Sequence, residues 1–600
     1  MRKTYFSIVF LLASLILVNC TSSNFENFVT RKADKVYDGE KEIRFLSFNI
    51  PNLHYNEDYL PFESVNPWRL SDEFEIRDAL KTIKQIGGKV ARIYVPSLRK
   101  NGEPKEFIRH IEAPGKFNED ASRVLDKVMQ VAAEEGVRII IPFVDNWIWW
   151  GGPMDYTAFR GKDKSVFWSD PEIIADFKKT IDYMVNRKNY YTGVQYKDDK
   201  ALFCWETGNE LEAPAEWTKQ IAAYIKSLDA NHLLLEGTNV QKLRDEAIED
   251  PNLDILSTHY SSVSTLISNQ KLVKGKKPYL LGEFGLRPFN QIIELVDTVI
   301  NQELLGGMIW SLRNRNRDGG FYHHAENSNF ESYRFPGFAN GEVYNESELF
   351  NLIKEKSAQI GGEQIMPVTI PDAPKLLEIK DISAISWQGS VGAKSYILER
   401  KEEYAADWIL LGDNIDESKY QYRPLFYDET AEIGKRYFYR LRAKNEAGIS
   451  DFSNIVGPVK VVSKKMIDEY ENLDRVLEKN GELRLLTMEN IRKAKEDRSR
   501  LTGMDGCFIS YKLPNGSNEI KIEGFLATKE SDLKVFISED GANYSELNLE
   551  KQVFEFAKNE YDFYPAARYT AKIDNENAKF VKIVLLGDVQ LSRTEISYPK

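Results

Sequence analysis

Cysteine is nearly absent from this chain, with three in 600 residues. Two of them, Cys204 and Cys507, fall in different segments, so no disulfide framework holds the fold, and neither has a partner at metal-ligand spacing. Lys/Arg-rich runs are missing too. The formal charge of -12 is spread rather than clustered, which excludes the basic footprint that tracks a phosphate backbone. Nucleic acid is therefore not an expected partner. The apolar run at residues 6–18 is too short to span a bilayer with comfort. After the first strand-like run, Phe48-Asn49-Ile50-Pro51-Asn52 stands where a nucleotide-binding protein would carry a glycine-rich phosphate loop. Neither a cofactor nor a metal is expected.

What is present begins with ordinary hydrophobicity, 42%, over a length that exceeds one core and calls for two to four domains. Met1-Arg2-Lys3 ahead of the apolar run has the basic and apolar regions of a secretory signal. Leu17-Val18-Asn19-Cys20-Thr21 resembles the lipobox of bacterial lipoproteins, although Asn19 replaces the usual small residue. That resemblance implies a signal at residues 1–20, a lipid on Cys20, a polar tether over 21–39 and a secreted protein anchored to the bacterial outer membrane or cell surface. The membrane is met only through this anchor.

From residue 40 to about 365, short β-prone runs alternate with longer amphipathic runs. Strands are expected at 43–49, 90–95, 137–144, from 201, and at 232–236, 254–259, 279–283 and 306–312. Helices are expected at 71–86, 121–135, from 169, 214–228 and 346–359. Gly136 is placed to end a helix in the left-handed conformation, and Ser169-Asp170-Pro171 to begin one. Eight such units define an α/β fold of the (β/α)8 TIM barrel class, with a doubly wound open sheet as the structural rival.

The C-terminal tips of these strands collect Arg92, Asp145 with Asn146, Asn209 with Glu210, His259 with Tyr260, Glu283, and Trp310. Two carboxyls at strand tips can deliver a proton to a glycosidic oxygen and face an oxocarbenium-like carbon from the other side. Sugars stack their C–H faces on indoles and present hydroxyls to Arg, Asn and His. Trp147, Trp149, Trp150, Trp168 and Trp310 crowd one expected face of the barrel.

Trp205-Glu206-Thr207-Gly208-Asn209-Glu210, Gly282-Glu283-Phe284-Gly285 and Trp310-Ser311-Leu312 together resemble glycoside hydrolase family 5, closest to its β-mannanase-like branch. The resemblance covers roughly residues 40–360. It implies a retaining hydrolase of β-linked polysaccharide, mannan endo-1,4-β-mannosidase-like, with Glu210 as acid/base and Glu283 as nucleophile. Asn209 would meet the sugar 2-hydroxyl, Arg92 and His259 would hold nucleophile and substrate, and Trp310 would floor the subsite. His259-Tyr260-Ser261 departs from the family's His-any-Tyr order, which leaves the tyrosine contact to the nucleophile open. A long loop, Arg313 to His324, is expected beside the cleft, with Arg315, Arg317 and His323 reading sugar hydroxyls. The alternatives are a non-catalytic surface glycan-binding lipoprotein and a hydrolase of the same clan acting on another β-glycan.

Beyond residue 371 the pattern turns all-β, with period-two alternation around Trp387 and in Tyr437-Phe438-Tyr439-Arg440-Leu441. Residues 371–462 resemble a fibronectin type III sandwich, whose usual role is a spacer. Residues 463–505 are expected to be a charged helical connector. Residues 506–600, with a hairpin turn at Ser538 to Tyr544, resemble a discoidin-like, galactose-binding-type sandwich.

Overall fold

A computed structural model describes residues 25–327, 330–338 and 346–599. Eight parallel strands, β1 (Phe45–Ile50), β2 (Val90–Ile93), β3 (Arg138–Pro142), β4 (Leu202–Glu206), β5 (Leu233–Glu236), β6 (Ile255–His259), β7 (Tyr279–Phe284) and β8 (Gly306–Ile309), close into a barrel in sequence order. Every residue of these strands is buried, as parallel strands covered on both faces require. The outer helices are α1 (Glu73–Gln85), α2 (Glu119–Glu135), α3 (Pro171–Asn186), α4 (Ala215–Leu228), α5 (Asp245–Glu249), α6 (Val263–Val273), α7 (Phe289–Asn301) and α8 (Glu346–Gly361).

Local chemistry sets their ends. Asp72 and Glu75 form a reciprocal capping box at the start of α1, and Ile76, Ala79, Leu80 and Ile83 form its buried stripe. Gly136 closes α2 at φ 74°, as its sequence position predicts, and Asp170 accepts from two backbone N–H groups ahead of Pro171 to open α3.

The expected tether is partly structure instead. Val29–Lys32, Lys35–Asp38 and Lys41–Glu42 form a three-stranded antiparallel sheet. Val29 and Val36 pack with Phe45, Phe203, Leu235 and Leu280 at the barrel's lower end, and that apolar contact orders a segment that looks polar in sequence. Cys20 and the expected signal lie outside the described residues.

Two β units follow the barrel. In the first, Ser395–Glu402 pairs with Ile409–Ile415 and Arg436–Asn445, over a core around Trp387, Tyr396 and Tyr439. In the second, a seven-stranded and a five-stranded sheet enclose their own core. The helical connector is corrected. Lys464–Asp468 pairs antiparallel with the C-terminal strand Val589–Tyr598, Glu478–Asn480 and Leu483–Leu486 are strands of the two sheets, and among the described residues of 463–505 there is no α-helix. A charged strand at a sheet margin and a charged helix look alike in composition.

The middle unit is not a free spacer, and the loop after β8 does not line a cleft. Arg315 is buried between Asp78 of α1 (3.1 Å) and Glu417 of the middle unit (2.8 Å). Arg317 reaches Glu75, and His323 lies buried beside Arg334 (3.1 Å), which donates to the Ser418 carbonyl. Arg315 and Arg334 clamp barrel to sandwich, whereas Arg317 braces the loop against α1. Arg315→Ala would leave Asp78 and Glu417 buried without their cation. Its expected cost in denaturant unfolding is about 3–5 kcal/mol, the usual penalty for breaking a buried pair. Arg317→Ala should cost clearly less, because Glu75 keeps Arg69 and Tyr322; equal losses would contradict the clamp.

Candidate active site

The strand ends converge on one guanidinium. Arg92, one residue from the end of β2, is almost wholly buried. It donates to Glu206 through Nε (2.7 Å) and Nη2 (3.0 Å), to Glu283 (2.8 Å), to Asn49 Oδ1 (3.1 Å) and to Asn209 Oδ1 (2.8 Å). Five donors in a fixed plane meet five acceptors from three strands or their tips, a match that lysine could not make.

Glu283 is at the end of β7 opposite His259 of β6, where the register slips by one residue. Gly282 makes room for the imidazole, since a Cβ there would sit 2.7 Å from His259 Nε2. Glu210 lies just past β4 with φ at 51°, a conformation costly for a residue with a side chain and one that recurs at functional sites. The turn is held by Asn209 N–H on the Val144 carbonyl (2.7 Å) and Leu211 N–H on the Gly237 carbonyl (2.9 Å). Glu210 accepts from the Trp147 indole (2.7 Å) and pairs with His259 Nδ1 (3.0 Å), which is also 3.5 Å from Glu283. Carboxylate oxygens of Glu210 and Glu283 and a ring nitrogen of His259 all lie within 4.8 Å of one another. A cation could sit among such donors, but Arg92 already supplies positive charge at 2.8 Å from Glu283.

Burial pushes the Glu283 carboxyl up to about 7; His259 and Arg92 oppose the rise, and Glu210 and Glu206 add to it. Burial also disfavours the Glu210 anion, but the His259 hydrogen bond and charge and the Trp147 indole outweigh it and hold Glu210 below its ordinary value. Burial opposes the imidazolium of His259, while Glu283 and Glu210 raise its pKa overall. The resting proton of the carboxyl pair thus favours Glu283, opposite to what an acid/base role for Glu210 requires. The Glu210 charge adds to the rise at Glu283, so the two groups titrate as an interacting pair.

Tyr260 adopts φ 50°, and its backbone N–H donates to the Glu283 carbonyl (2.7 Å), so the tyrosine stands next to Glu283 although it comes one residue early. Asn209 donates to Asp145 (2.9 Å) and to the Tyr94 hydroxyl (3.1 Å). Trp310 is half-buried and donates to Glu326 (2.6 Å).

The structure thus brings together Arg92, Asn209, Glu210, His259, Tyr260, Glu283, Trp147 and Trp310. Trp149 stands one step outward. Trp150 is a correction, because it is buried against Tyr55, Trp68 and Tyr94 and supports the loops instead of facing a ligand. Trp168 likewise packs edge-on to Trp217. Arg315 and His323 belong to the clamp. Sequence reasoning missed Glu206, Asn49 and Tyr94. Glu206 had a usable signal, since a carboxylate closing an apolar barrel strand must have a buried cation, and Arg92 was the cation at hand.

Fold and site define a (β/α)8 barrel with a close carboxylate pair at the ends of its fourth and seventh strands. A family model described as GH family 5 beta-mannosidase-like matches residues 64–262. Among curated relatives, mannan endo-1,4-beta-mannosidase 1 of Arabidopsis thaliana is 29% identical over 194 residues, which are 30% of this chain and 46% of the relative. Mannan endo-1,4-beta-mannosidase 7 of the same plant is 35% identical over 139 residues, 21% of this chain and 32% of the relative. The chain spans less than half the length of these relatives. A glycoside hydrolase family 5 mannosidase structure from Rhizomucor miehei covers 56% of this chain and 99% of its own, at 19% identity and a TM-score of 0.44.

Proposed function

We propose that the chain is a retaining glycoside hydrolase acting on β-mannosidic bonds of a mannan-type polysaccharide. The observation that carries this reading is the separation of Glu210 and Glu283, whose oxygens approach within 4.8 Å. Retaining enzymes hold their carboxyls about 5–5.5 Å apart, whereas inverting ones need about 6.5–9.5 Å for a water. Glu283, oriented by Arg92, His259 and Tyr260, attacks the anomeric carbon and forms a glycosyl ester. Glu210, more exposed and hinged on the His259 and Trp147 contacts, protonates the leaving oxygen and then deprotonates the water that frees the sugar. Asn209 stands beside Arg92 to take a sugar hydroxyl. The mannan preference is supported by the family match over 64–262 and by the relatives' names.

Glu210→Gln and Glu283→Gln should each lower turnover by about three orders of magnitude or more with little change in unfolding. Azide should rescue Glu283→Gly as the glycosyl azide of opposite anomeric configuration. Near-normal activity in either variant would remove the assignment.

The reaction needs exactly one proton on the carboxyl pair. Above the Glu283 value of about 7 that proton is lost and no acid remains; below the lowered Glu210 value both are protonated and no nucleophile remains. The plot of kcat/KM against pH should be bell-shaped with its alkaline fall near neutrality, and a profile flat into the alkaline range would contradict the shared proton.

The fibronectin type III-like and discoidin-like units serve this barrel as attached modules on our reading. The lipobox-like Leu17 to Cys20 supports a lipid anchor at the outer membrane or cell surface. Among the described residues no helix is long and apolar enough to cross a membrane. Cys20→Ala should move the protein from the membrane to the soluble fraction, and an unchanged membrane pool would exclude the anchor.

A further inference from the structure

The last β unit reaches the catalytic face. Between Phe554 and Ala566, the ends of two neighbouring strands of its larger sheet, a loop carries Phe556, Tyr561 and Phe563 over the barrel. Leu60, from the loop after β1, is buried with Phe556 and Phe563, and Lys100 pairs with Glu560. Tyr561 is held from three sides. Its hydroxyl donates to Glu57 (2.8 Å), the Arg492 guanidinium lies 4.2 Å from its ring centre, and Arg492 is itself fixed by Asp58 (2.7 Å) and Glu496 (2.9 Å).

From Tyr561 contacts run to both sides of the carboxylate pair. On one side its ring stacks on Trp149 (5.9 Å, 30° between planes). Trp149 lies 6.4 Å from Trp147, whose indole bonds Glu210. On the other side Tyr561 meets His324 edge-on (6.2 Å). The His324 Nε2 is 3.6 Å from Glu326, the acceptor of the Trp310 indole. The chain of contacts thus ends on one side at Trp147, which bonds Glu210, and on the other at Glu326, which holds Trp310, so it borders the reacting centre.

We propose that Tyr561 of the last β unit, with Trp149, closes the glycone end of the cleft and confines cutting to the non-reducing end of a β-linked chain. This rests on the hydrolase reading above. A polysaccharide threaded across the site must leave on both sides of Glu210 and Glu283. The wall joins Trp147, the partner of Glu210, to Trp310, which on the hydrolase reading floors the transferred sugar, so the exit it shuts is the one on the Trp310 side. The terminal sugar meets aromatic faces for stacking and the carboxylate of Glu326 for its hydroxyls. Tyr561 is thus a specificity-determining residue contributed by a unit that shares no strand with the barrel.

The test uses the full chain with an aryl β-mannoside, reducing-end-labelled mannohexaose and polymeric mannan. The aryl substrate reads the chemistry and the labelled products read the wall. Wild type should release mono- or disaccharide from the unlabelled end and leave mannan viscosity nearly unchanged. Tyr561→Ala and, independently, Trp149→Ala should raise kcat/KM on mannan relative to the aryl substrate by about tenfold, the scale of one aromatic contact, and yield mid-chain products. Tyr561→Phe, which keeps the ring, should retain the wild-type pattern. Turnover of the aryl substrate with a mid-chain ladder from wild type, or with release from the labelled end, would overturn the wall and leave the reaction standing. Hydrolysis of none of the three substrates would remove the mannosidase reading and the inference with it.

Discussion

Arg92 is the constraint on which the site depends. An ionised guanidinium with almost no solvent exposure is tolerable only if its hydrogen bonds are met and its charge is balanced. Here Glu206 balances it on one side and Glu283 on the other, with Asn49 and Asn209 taking remaining donors. The arrangement explains why Glu206 is buried without touching the reacting centre. It occupies the Nε side of the fork, which leaves Nη1 to Glu283. Burial raises the Glu283 carboxyl toward neutrality; Arg92 opposes that rise, and Glu206, which shares the guanidinium, adds to it.

That sharing has a consequence for the pair. Glu210 and Glu283 stand close enough to repel when both are ionised, and His259 sits between them as the adjustable counter-charge. Burial weighs most on the deeper carboxyl, Glu283, while His259 and Trp147 hold Glu210 below its ordinary value, so the site is poised by a near-balance of burial and charge more than by a fixed division of pKa values.

The barrel was legible in the sequence because its signals are local. Each strand is a short apolar run with a polar tip, and several long helices have a cap and a stripe, so Asn209, Glu210, His259 and Glu283 could be placed on one face from spacing alone. Arg315 was not legible as a clamp. Its partners Asp78 and Glu417 lie 237 and 102 residues away, in elements whose contact no periodicity records. In isolation an arginine-rich loop after the last barrel strand looks like a ligand reader. Trp150 fails for the same reason, since burial against Tyr55 and Trp68 depends on the loop after another strand, β1. Residues 29–38 and 464–468 show the converse: the first is a local hairpin ordered by packing against Phe203 and Leu280, and the second is a polar stretch made into a strand by the C-terminal strand far along the chain.

These long-range pairings change what the appended units are for. Arg315 and Glu417 fasten the middle unit to the side of the barrel, and the Asp58, Arg492 and Glu496 contacts fasten the last unit to the loop after β1. Asp58 is buried with His324, Arg492 and Arg313 around it, and the His324 contact and the two guanidinium charges outweigh burial and hold its carboxyl well below the ordinary range. One carboxylate thus ties the loops after β1 and β8 to the last unit. The same loops carry Glu57 and Glu326, which flank the carboxylate pair. A sandwich attached only as a tether would have no reason to bury ion pairs against the catalytic face. Burying them fixes the position of that sandwich relative to Glu210 and Glu283, and a fixed position is what a wall of the cleft requires.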